Sequence, residues 1–265
     1  MDNFANTVGF ITGGASGIGL GVARALGERG MTVVLADIEA DTLAAAAQDL
    51  RGSGISVDSA VLDVSDAGAY RAVAERTLDR HGTLHFLFNN AGVGGGPGLA
   101  DWRWVIDVNV MGVVHGVEFF LPAMRASGEI GYIINTASLA GHIVNPAMPA
   151  YCASKFAVVA YSEALLSELA DTPIDVSVLC PAWVKTRIAQ SHRNHPNPDA
   201  TASGDPAMDA IHKVIEEEGM SVEDLADRVL RGMASKTFNL FTHAEFWPEV
   251  KNRLDRIRDD YREVL

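Results

Sequence analysis

The chain has little cysteine, no long apolar run and no surplus of positive charge. Its 265 residues include two cysteines, Cys152 and Cys180, so a disulfide framework is excluded and a reducing compartment, the cytoplasm, is expected. No run of 18 apolar residues occurs and no basic stretch precedes an apolar one at the start, so we predict neither a membrane span nor a secretory signal. The net charge of −13 argues against nucleic acid as a partner, because nucleic acid is bound largely through cations.

What is present is the composition of an ordinary globular domain. Short β-branched runs alternate with longer alanine-rich amphipathic stretches through the first two thirds of the chain. This alternation predicts one α/β domain with a Rossmann-like, doubly wound parallel sheet and helices on both faces. The predicted strands are Val8–Thr12, Thr32–Ala36, Ile55–Leu62, Leu84–Asn89, Gly131–Thr136 and Ile174–Cys180. The predicted helices are Ile18–Glu28, Asp41–Leu50, Ala67–Arg80, Trp102–Met124 and Ala153–Leu169.

A glycine-rich turn follows the first predicted strand. Gly13, Gly17 and Gly19 stand between that strand and a helix. Glycines let the backbone approach a pyrophosphate, and the helix N-terminus offers free N–H groups, although a turn that merely packs could have the same glycines. Asp37 stands roughly 20 residues further on, at the end of the second strand, where a carboxylate can bind the ribose hydroxyls of a dinucleotide. Its alternative role is to cap the next helix.

The same carboxylate favours NAD over NADP. A negative charge at Asp37 would repel a 2′-phosphate. The neighbouring Ala15, Ser16 and Ile38 supply no arginine or lysine that could bind one. We therefore predict NAD as the cofactor.

A tyrosine and a lysine share one helix face. Tyr151 and Lys155 are separated by one helical turn, so the ammonium group can lie near the phenol. A phenol with an ordinary pKa of about 10 is a poor base, but a nearby cation favours the phenolate, so we expect Lys155 to lower the pKa of Tyr151. Ser138 follows the fifth strand, where its hydroxyl can bond a substrate oxygen or can simply be a solvated turn residue.

Together these segments resemble the short-chain dehydrogenase/reductase family over about residues 5–190. The resemblance rests on Thr12–Gly19 (TGGASGIG), Asp63-Val64, Asn89–Gly92 (NNAG), Asn109–Gly112 (NVMG), Ser138 and Tyr151-x-x-x-Lys155. It implies that Tyr151 is the general acid/base, that Lys155 also holds the nicotinamide ribose and that Ser138 positions the reacting oxygen. It further implies that Asn109 supports a water-mediated proton relay to Lys155.

The resemblance also implies a set of cofactor contacts. They are Gly13, Ser16, Gly17, Ile18, Gly19, Asp37, Asp63, Val64, Asn90, Ala91, Gly92, Tyr151, Lys155, Pro181, Val184 and Thr186. Where the family commonly has Pro-Gly after the sixth strand, this chain has Pro181-Ala182-Trp183, so details of nicotinamide placement are expected to differ. No metal is predicted, because no His, Cys or carboxylate array has ligand spacing.

The resemblance implies an NAD-dependent oxidoreductase that interconverts a hydrophobic secondary alcohol and its ketone. The candidate substrate contacts are Gly94, Leu139, His142, Met148 and Trp183, and their mostly apolar character favours an aryl or alicyclic alcohol over a sugar. The run Val178–Arg193 is similar to that of bacterial family members that oxidise benzylic alcohols of lignin-derived aryl ethers. Two alternatives stay open: a ketone reductase acting on steroid-like or polyketide substrates, and a regulator that senses NAD without turnover.

The expected domain is residues 1–265, a single dinucleotide-binding catalytic domain. Within it, Arg187–Gly219 is polar and proline-rich, so we expect a substrate lid about 187–219, with Ile188, Met208 and Ile211 as its apolar groups. Ser221 with Asp224 and Thr242 with Glu245 match the helix-capping pattern and predict C-terminal helices about 221–263.

Two predictions concern surfaces. The last helix repeats Trp247, Val250, Leu254, Ile257 and Tyr261 on one face, which we expect to dock on the body of the domain. The helices about Trp102–Met124 and Ala153–Leu169 carry apolar and small residues on more than one side. The family resemblance implies that these helices pair across two-fold axes in a homodimer or homotetramer.

Overall fold

A computed structural model describes residues 4–95, 98–197 and 206–264, without the side chains of residue 100 and residues 206–209. Seven parallel strands form one sheet in the order β3-β2-β1-β4-β5-β6-β7. The strands are β1 Val8–Thr12, β2 Thr32–Asp37, β3 Val57–Val61, β4 Phe86–Asn89, β5 Gly131–Thr136, β6 Ile174–Cys180 and β7 Asn239–Phe241. The strand order reverses beside β1, which is the position where doubly wound sheets open a ligand crevice.

The described helices cover both faces of this sheet. They are α1 Gly17–Gly27, α2 Ala40–Gly52, α3 Ala67–His81, α4 Leu99–Ile106, α5 Gly112–Ser127, α6 Pro149–Glu168, α7 Pro206–Glu218, α8 Val222–Ala234 and α9 Trp247–Arg262. One core cluster includes Ile11 and Leu35 with residues of α1, α2 and α8, and the other includes Phe10 and Val34 with residues of α3, α5 and α6. Neighbouring residues of each strand thus enter opposite cores, which confirms the predicted fold class.

Four predicted elements differ from the structure in detail, and one of them is the helix predicted at Ala153–Leu169, which is α6 and begins four residues earlier, at Pro149. The single helix expected at Trp102–Met124 is α4 and α5 joined by a π-helical turn, Asp107–Met111. The strands predicted from Ile55 and Leu84 begin two residues later, at Val57 and Phe86, and β7 was not predicted. With three residues, β7 is too short to carry an alternating pattern, and it is stabilised by pairing with β6.

The region expected to be a long polar loop contains regular structure. Ile188–Asn194 forms a 3₁₀ helix, and α7 occupies Pro206–Glu218. The prediction of a loop was therefore wrong for the second half, where Ile211 and Ile215 recur one turn apart in α7 and Ile215 is buried. The side chain of Met208 lies outside the described residues.

One of the two predicted caps is confirmed. The Ser221 hydroxyl accepts the Asp224 N–H (3.1 Å) at the start of α8. The Thr242 cap is wrong: its hydroxyl accepts the Ala182 N–H (3.2 Å) and bonds His243 Nδ1 (2.6 Å). Thr242 is buried against β6, so tertiary partners take the hydroxyl that a helix start would have used.

The docking expected of the last helix is also wrong. On the apolar face of α9, Val250 is buried, whereas Trp247, Leu254, Ile257 and Tyr261 are 43 to 71% exposed. The body contributes one aromatic contact, in which the Arg253 guanidinium lies 4.7 Å from the centroid of the Phe156 ring. The amphipathic pattern produced a helix, but the residues that the structure describes leave the outer half of its apolar face uncovered.

One helical run is apolar enough to resemble a membrane span by length and composition. It is Asp101–Ser127, with a mean hydropathy of 1.4 in its most apolar stretch. In that stretch, 56% of the residues are buried inside the domain, as in the core helix of a sheet protein.

Candidate active site

A groove of about 730 Å³ runs along the carboxyl ends of the strands. Its walls contain every predicted cofactor residue except Gly19: Gly13, Ser16, Gly17, Ile18, Asp37, Asp63, Val64, Asn90, Ala91, Gly92, Tyr151, Lys155, Pro181, Val184 and Thr186. Gly19 has a packing role instead, because a Cβ there would lie 2.2 Å from the Gly13 carbonyl oxygen. The ends of the strands thus bring to one groove the motifs of the family resemblance, which are far apart in the sequence.

The turn after β1 is shaped to receive a phosphate group. Gly13 and Gly17 have φ angles of 63° and 52°, in the left-handed region that favours glycine. Ser16 stands at the N-cap of α1 and makes no side-chain capping bond. The first turn of α1 carries no acidic residue. A helix N-terminus open to the groove fits the pyrophosphate of a dinucleotide.

Asp37 ends β2 with its carboxylate at the groove. Its Oδ2 accepts the Ala15 N–H (3.0 Å) and its Oδ1 accepts the Glu39 N–H (3.0 Å). The alternative role as a helix cap is not observed, because α2 begins at Ala40 with Glu39 at the N-cap. The carboxylate is instead oriented by backbone donors of two loops, those that follow β1 and β2.

The β1 and β4 ends are tied together beneath the groove. The Thr12 hydroxyl accepts the N–H groups of Asn90 (2.9 Å) and Ala91 (3.1 Å). The Asn90 amide in turn donates to the Thr12 carbonyl (3.0 Å). These bonds hold the NNAG segment in a fixed position beside the glycine turn.

Asn109 is fully buried in the π-helical turn, and its side chain acts as a clamp. Its Oδ1 accepts the Val93 N–H (2.7 Å), and its Nδ2 donates to the Val93 carbonyl (2.9 Å) and the Ser154 hydroxyl (3.1 Å). The amide is therefore engaged in holding the loop after β4 against α6. A proton relay to Lys155 would have to use the backbone of Asn109, at a π-helical turn of the kind often found at functional sites.

Ser138, Tyr151 and Lys155 converge on the groove. Ser138 lies just beyond β5, where its hydroxyl accepts the Ala140 N–H (3.1 Å) and donates to the Pro181 carbonyl (3.3 Å). Lys155 is 3% exposed, and its Nζ donates to the Thr136 carbonyl (2.9 Å) and lies 5.5 Å from the centroid of the Tyr151 ring. The end of β5, next to Ser138, and the face of α6 that carries Tyr151 and Lys155 therefore meet at the groove, as the sequence predicted.

The electrostatic expectation for this trio is not met. Burial raises the pKa of Tyr151, and a hydrogen bond with Ser138 offsets only part of that rise. Burial also lowers the pKa of Lys155 to about 8, from an ordinary value near 10.5. The ammonium is bonded to Thr136 on the sheet, and burial of each group is the main cause of both shifts.

A second, smaller cavity opens beside Tyr151. It has a volume of about 170 Å³, and Ser138 and Tyr151 line both it and the groove. Of the predicted substrate contacts, Gly94, Leu139, Met148 and Trp183 line it. Sequence reasoning missed several further lining residues: Cys152, Ala189, Ile215 and Phe246. Phe246 lies far along the chain in a segment without a motif, so no sequence signal placed it here.

His142 is not in this cavity, contrary to our expectation. Its Nε2 lies 3.3 Å from Cys180 Sγ, and its ring centroid is 4.8 Å from that of Phe241. Burial lowers the pKa of His142. The side chain packs behind β6 because neighbouring strands supply a thiol and an aromatic ring to receive it.

Residues 187–197 complete the outer wall of the groove. Arg187, Arg193 and Asn194 line it near Glu39, and none of these was a predicted contact. His195 lines it next to Trp104, with ring centroids 4.6 Å apart. Within the described ranges, no group of three or more His, Cys, Asp or Glu residues could hold a metal ion.

Comparisons with known proteins agree with this geometry. Residues 7–197 match the model of the short chain dehydrogenase family. A C alpha-dehydrogenase of Sphingobium is 33% identical over 97% of this chain and 85% of its own length. A short chain dehydrogenase/reductase from Burkholderia phymatum, solved in complex with NAD, is 35% identical, with a TM-score of 0.93 over 98% of this chain and 97% of its own.

The similar structures also include one with the phosphorylated cofactor. An actinorhodin polyketide ketoreductase, solved as a variant with NADPH, is 32% identical, with a TM-score of 0.74 over 89% of this chain and 94% of its own. The family match covers most of the chain, and the relatives extend over nearly all of it. The protein is therefore an oxidoreductase that belongs to the short-chain dehydrogenase/reductase family.

Proposed function

We propose that this protein is an NAD-dependent dehydrogenase that oxidises a hydrophobic secondary alcohol of aryl or benzylic type to its ketone. One observation carries the proposal: Ser138 and Tyr151 stand where a groove that fits a dinucleotide meets a small apolar cavity. A reacting carbon placed at that junction would have a proton acceptor on one side and a hydride acceptor on the other.

The residues divide the proton chemistry between them. Ser138 would hold the substrate oxygen, and the Tyr151 hydroxyl would exchange the proton with it. The bound dinucleotide supplies the hydride acceptor. Because burial raises the pKa of Tyr151, we expect it to act as a base only when further positive charge approaches its hydroxyl. Lys155, held by Thr136 under the groove, would bind the nicotinamide ribose.

The preference for NAD rests on Asp37. Its carboxylate lies in the groove, oriented by backbone donors, and would accept hydrogen bonds from two ribose hydroxyls while repelling a 2′-phosphate. The NAD bound to the Burkholderia relative is consistent with this proposal. The NADPH bound to the ketoreductase makes the preference a matter for measurement.

The apolar cavity supports the substrate class. No charged residue occurs among the described residues that line it, and its polar side chains are Ser138, Asn145 and Tyr151. A charged group of the substrate would find no charged partner among the described residues of this cavity, so burying it there would cost free energy. An aromatic ring, in contrast, would be stabilised by contact with Leu139 and Trp183. The similarity to a C alpha-dehydrogenase favours the same class.

Turnover assays test the proposal directly. The protein is incubated with NAD or NADP and a panel of secondary alcohols, namely aryl, alicyclic and sugar alcohols, while nicotinamide absorbance is followed. We expect reduction of NAD with the aryl alcohols. Faster turnover of polyketide-like ketones with NADPH would favour the reductase alternative, and NAD binding without turnover of any alcohol or ketone would favour the sensing regulator.

A homodimer or homotetramer in the cytoplasm is part of the proposal. On α6, Ala153, Ala160 and Leu166 are exposed although they are apolar, which is consistent with pairing to a second copy. Both cysteines are free and buried. Light scattering at micromolar concentration should show a dimer or tetramer, and a monomer would contradict this part of the proposal.

A further inference from the structure

Residues 187–197, called the lid segment below, are docked across the groove at three points. Ser191, 7% exposed, accepts the Gly94 N–H through its hydroxyl (2.9 Å), which ties the lid segment to the loop after β4. His195 packs edge-on against Trp104 of α4. The third point, on the opposite wall, is the carboxylate of Glu39. The lid segment therefore spans the groove from wall to wall.

Glu39 receives three side chains of the lid segment at once. Its Oε1 accepts hydrogen bonds from Arg193 Nε (2.6 Å) and Asn194 Nδ2 (2.9 Å), and Arg193 Nη2 lies 2.5 Å from the same oxygen. Its Oε2 lies 3.3 Å from Arg187 Nη1 and accepts the Thr42 hydroxyl (3.1 Å). We call this set of contacts the Glu39 clasp.

The Glu39 clasp differs from the ion pairs on the surface of this protein. The side chain of Glu39 is 17% exposed, whereas in the Arg125–Glu168 pair the two side chains are 41% and 54% exposed. Burial alone would raise the pKa of Glu39, but the bonds from Asn194 and Arg193 outweigh it and hold the pKa below its ordinary value. Isolated surface pairs contribute little, but a shielded carboxylate with several donors is a stronger contact.

The position of the clasp gives it a consequence for ligand exchange. Glu39, Arg187, Arg193 and Asn194 all line the groove, and Glu39 is two residues beyond Asp37. A dinucleotide lying between Asp37 and Lys155 would therefore pass under the lid segment. It could leave past this wall only after the bonds to Glu39 had broken.

We propose that Glu39 is a positioning residue that clasps the lid segment over the groove and thereby sets the rate at which the cofactor is released. This inference rests on the proposed function, since it takes NAD(H) as the occupant of the groove. Glu39 would act through Arg193 and Asn194, and it would not touch the reacting atoms. Slow release would keep the cofactor in place while the substrate reacts.

The first test measures release of NADH by stopped-flow fluorescence in Glu39→Gln. The substitution keeps the shape and removes the charge, so we expect release about tenfold faster, as follows from the loss of a charge-assisted network. The KM for NAD should rise, while the rate of hydride transfer in a single turnover should stay nearly unchanged. The matched control is Glu168→Gln, which removes the charge of an exposed pair, and its release rate should equal that of the unsubstituted protein.

A double substitution tests whether Glu39 acts through the lid segment. Arg193→Gln alone should accelerate release by a similar factor, and Glu39→Gln with Arg193→Gln should accelerate it little more than either alone. Multiplying effects would mean that the two residues act independently, which would overturn the proposal. Arg193→Gln also serves as the test if Glu39→Gln fails to fold.

Hydrogen exchange of the protein without cofactor separates the clasp from the function. In Glu39→Gln, amides of 187–197 should exchange faster than in the unsubstituted protein, and in Glu168→Gln they should not. If the unsubstituted protein does not bind NADH, the proposed function fails while this measurement still reports on the clasp. If NADH binds but is released at an unchanged rate from Glu39→Gln, the proposal is wrong whether or not exchange changes, because Glu39 would then be only a structural contact.

Discussion

The groove and the apolar cavity share the lining residues Ser138, Tyr151, Ala182, Ile188 and Ile215, but they differ in volume and in charge. The groove, at about 730 Å³, is lined by charged side chains and backbone groups at the ends of six strands, β1 to β6. The cavity, at about 170 Å³, has no charged side chain among the described residues that line it. Its walls come from loops, the first turn of α6, the lid segment, α7 and the stretch before α9. The groove would therefore recognise its ligand through fixed charges and dipoles, whereas the cavity would recognise its ligand through shape.

The sharpest way to test the comparison is to alter the residue on which both sites depend. Tyr151→Phe keeps the ring in both walls and removes the hydroxyl, so turnover should fall by about 10² or more while binding of NAD is retained. Initial rates and NADH fluorescence titrations measure the two effects. Tyr161→Phe, on the same helix but absent from both walls, is the control. Activity close to that of the unsubstituted protein in Tyr151→Phe would refute the proton-transfer role.

Burying the charge of Lys155 beneath the groove lowers the free energy of unfolding of the protein. Because burial lowers its pKa to about 8, its charged form destabilises the folded state at neutral pH, and this penalty disappears as pH rises from 8 towards 10.5. Lys155→Met should therefore unfold with a free energy about 2 kcal/mol larger at pH 7, after allowance for the lost bond to Thr136. The same variant should lose turnover and cofactor affinity.

Denaturant unfolding of both proteins across pH 7 to 10.5 checks this sign. The advantage of Lys155→Met should be largest at the low end and shrink as pH rises, since the lysine is then neutral in the folded and the unfolded states. An advantage that grows with pH, or a less stable variant at pH 7, would contradict the argument.

Charge recognition in the groove is tested at Asp37. Asp37→Ala with Ile38→Arg should shift the ratio of kcat/KM for NAD and NADP towards NADP by about tenfold or more, because repulsion is removed and a phosphate partner is added. Asp37→Asn is the control for structure, since an amide oxygen can still accept the Ala15 N–H. If the unsubstituted protein had comparable kcat/KM values with NAD and NADP, the proposed role of Asp37 in the preference for NAD would be wrong.

Shape recognition in the cavity gives the smallest expected effect. Phe246→Ala should raise the KM for an aryl alcohol by about fivefold, as for a lost apolar contact, and leave the KM for NAD unchanged. Trp247→Ala, at the exposed neighbouring position, should change neither constant. A change in the KM for NAD in Phe246→Ala would show that the two sites are not separable in this way.

Much of the groove could be predicted because its determinants are local. The strand–glycine–helix order around Gly13, the position of Asp37 at a strand end and the spacing of Tyr151 and Lys155 each depend on a few neighbouring residues and on helix or strand geometry. Parallel strands then bring their carboxyl ends to one edge, so separate motifs meet without further information. The predicted fold and these residues of the groove followed from such regularities, whereas the other predicted cofactor contacts were implied by the family resemblance.

Contacts between distant segments, in contrast, were decided by the tertiary structure. The direction of the His142 side chain depends on Cys180 and Phe241, and the position of Phe246 in the cavity on how the chain passes β7. The pKa of Tyr151 is raised, and that of Lys155 is lowered, by how deeply each of them is buried.

The sequence by itself determined the six strands from β1 to β6, the glycine turn and the places of Asp37, Tyr151 and Lys155 at the groove, because hydrophobic period and backbone geometry act over short separations. Only the tertiary structure decided that Glu39 meets Arg193 across the groove, that α9 keeps an exposed apolar face and that burial raises the pKa of Tyr151. Burial and electrostatics depend on everything that surrounds a group, and that surrounding exists only once the chain has folded.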